Sequence, residues 1–490
     1  MASLNSKTEN SGAIGAQMPR PPIVVVMGHV DHGKTTLLDA IRKTKIAQRE
    51  AGGITQSIGA YEVQEKDQRI TFIDTPGHQA FTSMRQRGAH VADVAILIVA
   101  ADDGVQPQTQ EAIAILKDSQ TPFIVAINKI DKGNADIERT KNSLLANSVL
   151  LEKYGGDVPW VALSAKTGEG INDLLDMVLL VAHMESLTCD PTGLAKGFVL
   201  ESKMDSQRGI LASVVITDGT VRVGDAIAAG HARGKIKALE NFMGKRVDAL
   251  TPSSPALITG FDVLPAAGDE FVAGILDAGD AAMIAPDKKE AAPLPTESTG
   301  DQLRVIVKGD VSGSLEALCQ MIQNLEIDGK RFRIMSQDVG DISDGDVKMA
   351  ATFGAKIIGF NVKTSKAAEL AARAQSVEMI ASDVIYRIIE ALEAWVGGLY
   401  KKQEIGSLEV LALFSKKDRK QLVGGKILSG FLTLNQRVNI VRAEQPIGQG
   451  RITNLQQGKK NVTKVDTGEC GVMVESPVEV QVGDYLIIEK

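Results

Sequence analysis

No apolar run in the 490 residues approaches the ~18 that a membrane-spanning helix needs. A helical anchor is therefore not expected. The opening stretch, 1–20, is polar and lacks the apolar core of a secretory signal. Its acid and its scarcity of arginine also argue against a transit peptide. Cysteine is scarce as well. Cys189, Cys319 and Cys470 are widely spaced and odd in number, which fits neither a disulfide framework nor a zinc site and points to a reducing compartment. A global basic field is missing too: the net charge is −7, so bulk charge does not advertise nucleic acid. Residues 403–490 hold 12 lysines and arginines against 10 acids, a small local excess. That bias fits an RNA-facing end and a solvated surface equally well.

What the chain does contain is ordinary globular usage, 44% hydrophobic and 23% charged, over a length that calls for roughly three or four domains. Residues 1–20 read as a disordered tail. Pro21-Pro22 blocks any helix before the β-branched run Ile23-Val24-Val25-Val26-Met27. Similar runs recur at 70–73, Val94–Ala100 and 123–127, with helical patterns at 35–43 and 108–117 between them. This alternation predicts an α/β fold with a parallel, doubly wound sheet over 21–186, closed by a helix at 170–184. Short strands punctuated by Gly219, Gly224-Asp225, Gly230 and Gly234 predict a β-barrel over 187–285. A linker rich in Pro, Ala and Ser follows at 286–300. Residues 301–381 return to alternating strand and helix. A connecting segment is expected at 382–402, its helix capped by Ser382-Asp383, running to about Val396 and stopped by Gly397-Gly398. Residues 403–490 read as a second β-barrel.

The two short-strand segments repeat one another. Gly234-Lys235-Ile236-Lys237-Ala238-Leu239 matches Gly450-Arg451-Ile452-Thr453-Asn454-Leu455. A Gly-Asp pair follows 34 residues after the first glycine (Gly268-Asp269) and 33 after the second (Gly483-Asp484). Two barrels of one topology are therefore expected.

Gly28-His29-Val30-Asp31-His32-Gly33-Lys34-Thr35 follows a strand and opens a helix, the setting in which a glycine-rich loop cradles phosphate. Its backbone N–H groups converge on phosphate oxygens. Lys34 is placed to reach the β and γ phosphates, and Thr35 to ligate Mg²⁺. Asp74-Thr75-Pro76-Gly77-His78 follows the next strand. Asp74 is a second Mg²⁺ candidate, through water. Gly77, without a side chain, can bring its N–H close to a γ-phosphate. Asn128-Lys129-Ile130-Asp131 ends a further strand. The Asp131 carboxylate can accept both N1–H and N2–H of guanine, a donor pair that adenine lacks, and so selects GTP. Ser164-Ala165-Lys166 completes the base pocket with a backbone N–H for guanine O6. Between the first two motifs, Glu50-Ala51-Gly52-Gly53-Ile54-Thr55-Gln56 stands where a γ-phosphate-sensing switch belongs, with Thr55 as a further Mg²⁺ ligand. Hydrolysis needs a positioned water, and His78 is assigned to orient it, with Val30 and Ile54 as an apolar gate. His90, His183 and His231 read as structural or surface residues.

The loop 28–35 with its two histidines, together with 74–78, resembles the translational GTPases. The stretch 50–61, Glu-Ala-Gly-Gly-Ile-Thr-Gln-Ser-Ile-Gly-Ala-Tyr, narrows this to the translation initiation factor two family. So do Gly309-Asp310-Val311-Ser312-Gly313-Ser314-Leu315-Glu316-Ala317, Ile358-Gly359-Phe360-Asn361-Val362 and Glu469-Cys470-Gly471. The resemblance covers 22–490. It implies GTP and Mg²⁺ as cofactors and the domain order given above. It implies binding of the small ribosomal subunit and formylmethionyl initiator tRNA, promotion of large-subunit joining, and hydrolysis triggered by the ribosome. Other initiation factors are candidate partners, and a cytoplasmic monomer without a membrane partner is expected. The tRNA-facing residues it assigns are Arg442, Arg451, Lys459, Glu469, Cys470 and Gly471. Three departures stand out. About twenty residues precede the GTPase domain, where many members carry a long extension. Gly425 replaces the family's usual Cys in what reads as a glycine turn. Gln456-Gln457-Gly458-Lys459 replaces a basic and aromatic run. The last two predict weaker discrimination for the formyl group. Two other readings remain open on the sequence: an elongation-type or specialised tRNA carrier, and a GTP-dependent binding module that does not hydrolyse.

Overall fold

The computed structural model describes residues 17–42, 58–77, 79–275, 302–327, 329–400, 404–417, 419–442, 445–458 and 460–489. The tail 1–16, the switch segment with Ile54 and Thr55, His78, the linker 286–300 and Lys459 lie outside these residues. No helix among the described residues is long and apolar enough to cross a membrane.

The first sheet has the strand order Gly59–Glu65, Gln68–Asp74, Ile23–Gly28, Val94–Ala100, Phe123–Asn128, Trp160–Ala162. The first pair is antiparallel and the rest are parallel. Ile23–Gly28 and Val94–Ala100 are buried along their whole length, as β-branched runs are when helices cover both faces of a sheet. Parallel strands all end at one edge, so the loops after Gly28, Asp74, Asn128 and Ala162 face the same crevice. Two kinds of element were not legible in advance. Gly59–Glu65 is a half-buried edge strand, turned by Lys66 and Asp67 at φ 45° and 64°. The helices Thr82–Val91 and Ile137–Ala146 are too polar to show a long apolar stripe.

The first barrel runs Ala226–Ala229, Glu270–Gly274, Ala195–Asp205, Gly209–Asp218, Pro255–Phe261, Ala232–Asn241, Arg246–Val247, and closes by pairing Ala226–Ala229 with Ala232–Asn241. The second has the same order: Arg437–Arg442, Tyr485–Glu489, Glu404–Lys417, Lys420–Gly430, Glu469–Glu475, Gln445–Gln457, Lys460–Asn461, closed by Arg437–Arg442 on Gln445–Gln457. The repeated Gly-Asp pairs do the same work in each. The Gly268 amide donates to the Val199 carbonyl at 2.7 Å and the Gly483 amide to that of Val410 at 2.8 Å. The return bonds, Val199 to Asp269 and Val410 to Asp484, are both 2.9 Å. Each barrel fills with its own aliphatic core.

The remaining sheet has the order Glu326–Ile327, Lys330–Val339, Leu303–Gly309, Lys356–Phe360, Met379–Ser382. The helices Ser312–Asn324, Asp344–Phe353 and Lys366–Gln375 alternate with its strands. Ser343 and Asp346 form a reciprocal cap on the second of these helices. Ser382 ends its strand and accepts from the Val384 amide at 3.1 Å. The helix that follows, Ile385–Tyr400, runs through Gly397-Gly398 instead of stopping there. Glycine costs a helix only about 1 kcal/mol per residue. Ile385, Ile388, Leu392 and Val396, spaced by three and four, are fully buried on one stripe and offset that cost.

Candidate guanine-nucleotide site

The phosphate loop is built by close approach. Gly28 has φ 150° and a Cβ there would strike the Ile98 carbonyl. Gly33 has φ 93° and a Cβ would strike the Asn128 amide. Both positions demand glycine. Asp31, between them, holds φ 65°, which aspartate tolerates. Lys34 folds back into its own loop, its Nζ donating to the Gly28 carbonyl at 2.8 Å and the His29 carbonyl at 2.7 Å. Burial lowers its pKa to about 8 although Asp74 pulls the other way. An arriving phosphate would favour the charged form. Thr35 lies in the first turn of the helix Lys34–Arg42. The Val30 amide donates to Gln108 Oε1 at 2.9 Å, which fixes the loop crest on the helix Pro107–Asp118.

The two loop histidines are neutral by environment. The His29 and His32 rings sit 5.0 Å apart. Burial pulls His32 down to about 4, in spite of Asp103 at 3.3 Å. Burial and the nearby Lys34 lower His29.

Asn128 joins the phosphate loop to the base loop. Its Nδ2 donates to the His32 carbonyl at 2.8 Å, and its Oδ1 accepts from the Ala165 amide at 2.9 Å. One side chain thus aligns two of the expected motifs. Lys129 turns the chain with φ 65°, and the Ile130 amide reaches the Leu163 carbonyl at 3.4 Å. Asp131 is exposed and receives the Ser164 hydroxyl at 2.7 Å. That bond is the main reason its carboxyl lies below the usual range. Ser164 and Ala165 are buried, while Lys166 is exposed beside them.

Asp74 pairs across the sheet with Val26, and the Thr75 hydroxyl donates to the Val26 carbonyl at 3.0 Å. Asp74 and Gly77 thereby come to the phosphate-loop edge, with Gly77 against Lys34. The Pro76 carbonyl is held by Arg85, at 3.1 Å, from the helix Thr82–Val91. Arg85 is 1% exposed and also pairs with Glu111 at 2.6 Å. Sequence reasoning missed it, because a lone arginine in a polar helix carries no pattern that reveals burial. His78, expected to orient water, Ile54, expected in the gate, and Thr55, expected on Mg²⁺, lie outside the described residues.

Residues 20–184 match the family described as elongation factor Tu GTP binding domain, 194–274 the elongation factor G domain 2 family, and 287–393 the translation-initiation factor 2 family. Translation initiation factor IF-2 of Bacillus licheniformis is 40% identical over 488 residues, covering 95% of this chain and 68% of the relative. That of Staphylococcus epidermidis is 41% identical over 503 residues, covering 98% and 69%. The chain belongs to the translation initiation factor 2 family. The crystal structure of GDP-bound aIF5B from Aeropyrum pernix is similar across the domains, with a TM-score of 0.50 at 28% identity over 96% of this chain and 92% of that one. As a translation initiation factor 2, the protein is a GTPase of protein synthesis, binds guanine nucleotide and acts with the ribosome.

In its second barrel, this member of the translation initiation factor 2 family brings some of the expected tRNA residues together. Lys426 pairs with Glu469, Gly425 with Cys470, Gly424 with Gly471, and Gly471 with Gln456, so these positions share three adjacent strands. Cys470 is 6% exposed, and burial pushes its thiol up to about 11, so its side chain belongs to the core. Gly425 is not in a turn. It lies within the strand Lys420–Gly430, where a Cβ would strike Leu408 and the Glu409 carbonyl. The expected glycine turn at Gly425 is corrected accordingly. Gly458 does occupy a turn, at φ 56°, where an aromatic residue would be strained. Arg451 is exposed and pairs across strands with Glu475. Arg442 is not part of the cluster. It grips the buried Asp484 with two nitrogens, at 2.7 and 2.9 Å. Burial alone would raise that carboxyl, but the guanidinium holds it low.

Proposed function

We propose that this factor carries formylmethionyl initiator tRNA to the small ribosomal subunit in its GTP form, promotes large-subunit joining, and hydrolyses GTP when the ribosome triggers it. The observation that carries this reading is the convergence of the phosphate loop, the 74–77 turn and the base loop on one sheet edge, with Asn128 joined to both His32 and Ala165. Residues 21–186 act as the GTPase domain and 187–285 as a first barrel. After the linker 286–300 come the α/β domain 301–381, the connecting helix 382–402 and a tRNA-binding barrel at 403–490. The expected tail does not extend to residue 20, because Met18–Pro19 pair with Thr188–Cys189 and Arg20 grips Asp93 at 2.6 Å. The protein works as a cytoplasmic monomer.

Lys34 and the amides of 28–35 take the phosphates, Gly77 approaches the γ-phosphate, and Asp131 with Ser164, Ala165 and Lys166 selects guanine. The Thr35 hydroxyl and the Asp74 carboxylate are hard oxygen donors at one sheet edge, which suits Mg²⁺, and Thr55 completes the set. When bound there, Mg²⁺ would supply positive charge against the phosphates. His78 orients the attacking water, behind a gate of Val30 and Ile54.

On the second barrel, Lys426, Arg451, Lys459, Glu469 and Gly471 offer the surface for the aminoacylated end. Gln456 donates to Asn461 at 2.9 Å and Gln457 to the Thr467 carbonyl at 2.9 Å, so neither replaces the family's basic and aromatic run. The preference for the formyl group is therefore weaker than is usual in the family. Retention of labelled tRNAs on small ribosomal subunits tests both statements. Initiator tRNA should be retained over elongator tRNA with GTP, and formylated over unformylated initiator by only a small factor. Equal retention of elongator tRNA would contradict delivery of initiator tRNA. A strong formyl preference at matched salt would contradict the weakened recognition.

A further inference from the structure

Glu201 stands in the first barrel, on the strand Ala195–Asp205, yet it is only 6% exposed, because other parts of the chain cover it. Its Oε1 accepts from the Ile58 amide at 3.0 Å. Ile58 leads directly into the strand Gly59–Glu65, and Gly59 is the cross-strand partner of Asp74. One hydrogen bond and one residue pair therefore separate the barrel carboxyl from the turn that carries Asp74 and Gly77. The next barrel residue reaches the α/β domain, as the Ser202 amide donates to Ser312 Oγ at 3.0 Å. Ser312 opens the helix Ser312–Asn324, whose face meets the helix Thr82–Val91. Arg87 pairs with Glu316 at 3.0 Å, and a Cβ on Gly313 would lie 2.6 Å from Met84 Cε, so glycine is what allows this approach. The helix Thr82–Val91 also holds the Pro76 carbonyl through Arg85.

The 74–77 turn is thus gripped on both flanks by parts of one junction. Its upstream flank is tied through Ile58 to Glu201. Its downstream flank is tied through Arg85 and Arg87 to a helix that docks on the α/β domain. Burial raises the Glu201 carboxyl to about 8, with Asp310 adding to the effect, so near pH 7 it is mostly neutral and can sit in this junction without a full buried charge.

We propose that Glu201 is a positioning residue of the nucleotide site, setting the 74–77 turn through Ile58 from outside the GTPase domain. The 309–317 motif packs against the same junction through Ser312, Gly313 and Glu316. This rests on the reading of Asp74 and Gly77 as the groups nearest Mg²⁺ and the γ-phosphate.

The test is the ratio of GTP to GDP affinity, measured by displacement of a fluorescent nucleotide from the full chain at fixed pH. Glu201→Gln keeps an oxygen for the Ile58 amide and matches the neutral acid. Glu201→Leu keeps much of the volume without an acceptor. The Gln variant should stay within about twofold of wild type, and the Leu variant should lose about tenfold in the ratio, mostly from GTP, as a buried amide left without its acceptor implies. An unchanged ratio in the Leu variant, or equal losses in both variants, overturns the proposal. If the Leu variant does not fold, amide exchange at Ile58 in wild-type protein decides instead. The rates should differ about tenfold between the GTP and GDP forms, and equal rates overturn the proposal. Asp74→Asn serves as the independent control. If it leaves the Mg²⁺ dependence of GTP binding intact, the reading of the turn itself has failed, whatever Glu201 does.

Discussion

Gly77 lies against Lys34 so closely that a methyl group at position 77 would collide with the lysine ammonium. The residue proposed to face the γ-phosphate and the residue proposed to reach the β and γ phosphates therefore share one small volume. Gly77→Ala should weaken GTP about tenfold or more, the scale of one lost hydrogen bond to a charged group, and weaken GDP much less. Titration with fluorescent analogues of both nucleotides checks this. Equal losses for GTP and GDP would mean that position 77 does not face the γ-phosphate.

Asp131 is exposed and accepts from the Ser164 hydroxyl at 2.7 Å, which lowers its carboxyl below the usual range. Asp131→Asn removes the acceptor for both guanine donors while leaving the loop geometry to Asn128. GTP affinity should fall by about 10²-fold or more, and xanthosine triphosphate should become the better ligand. Competition between the two nucleotides gives the answer directly. Unchanged GTP binding would remove Asp131 from the base pocket.

The parts of this site that were legible in the sequence share a physical cause. Apolar runs, such as Val94–Ala100 and the Ile357–Phe360 part of Lys356–Phe360, mark buried parallel strands, because burial on both faces leaves no room for polar alternation. Loops that hold phosphate need glycine at particular angles, so Gly28 and Gly33 announce themselves. The missing parts are long-range. Gly59–Glu65 is half-buried and mixed in character. Arg85 and Glu201 look like ordinary surface charges, and only the folded chain brings Pro76 and Ile58 to them. Gly425 failed for the opposite reason: a glycine pair suggests a turn, but close packing on Leu408 explains it inside a strand.

Arg85 is the largest of the fully buried side chains, and its partner Glu111 is 24% exposed. Arg85→Met should cost about 3 kcal/mol, near the low end for a broken buried pair because Glu111 can turn to water. It should also loosen the 74–77 turn by releasing the Pro76 carbonyl. Urea unfolding of wild type and variant measures the first effect. A loss below about 1 kcal/mol would show that the pair adds little stability.

His78 follows Gly77 in the sequence. On the proposed function, this chain hydrolyses GTP when the assembled ribosome lets His78 orient water. Phosphate release, followed in time after large subunits are added to small subunits loaded with factor, initiator tRNA and GTP, tests it most directly. Wild type should release phosphate in a burst. His78→Ala should bind GTP almost normally but release phosphate about 10²-fold more slowly or worse, the scale of a lost positioning group. A normal burst from His78→Ala, or none from wild type, would contradict the account.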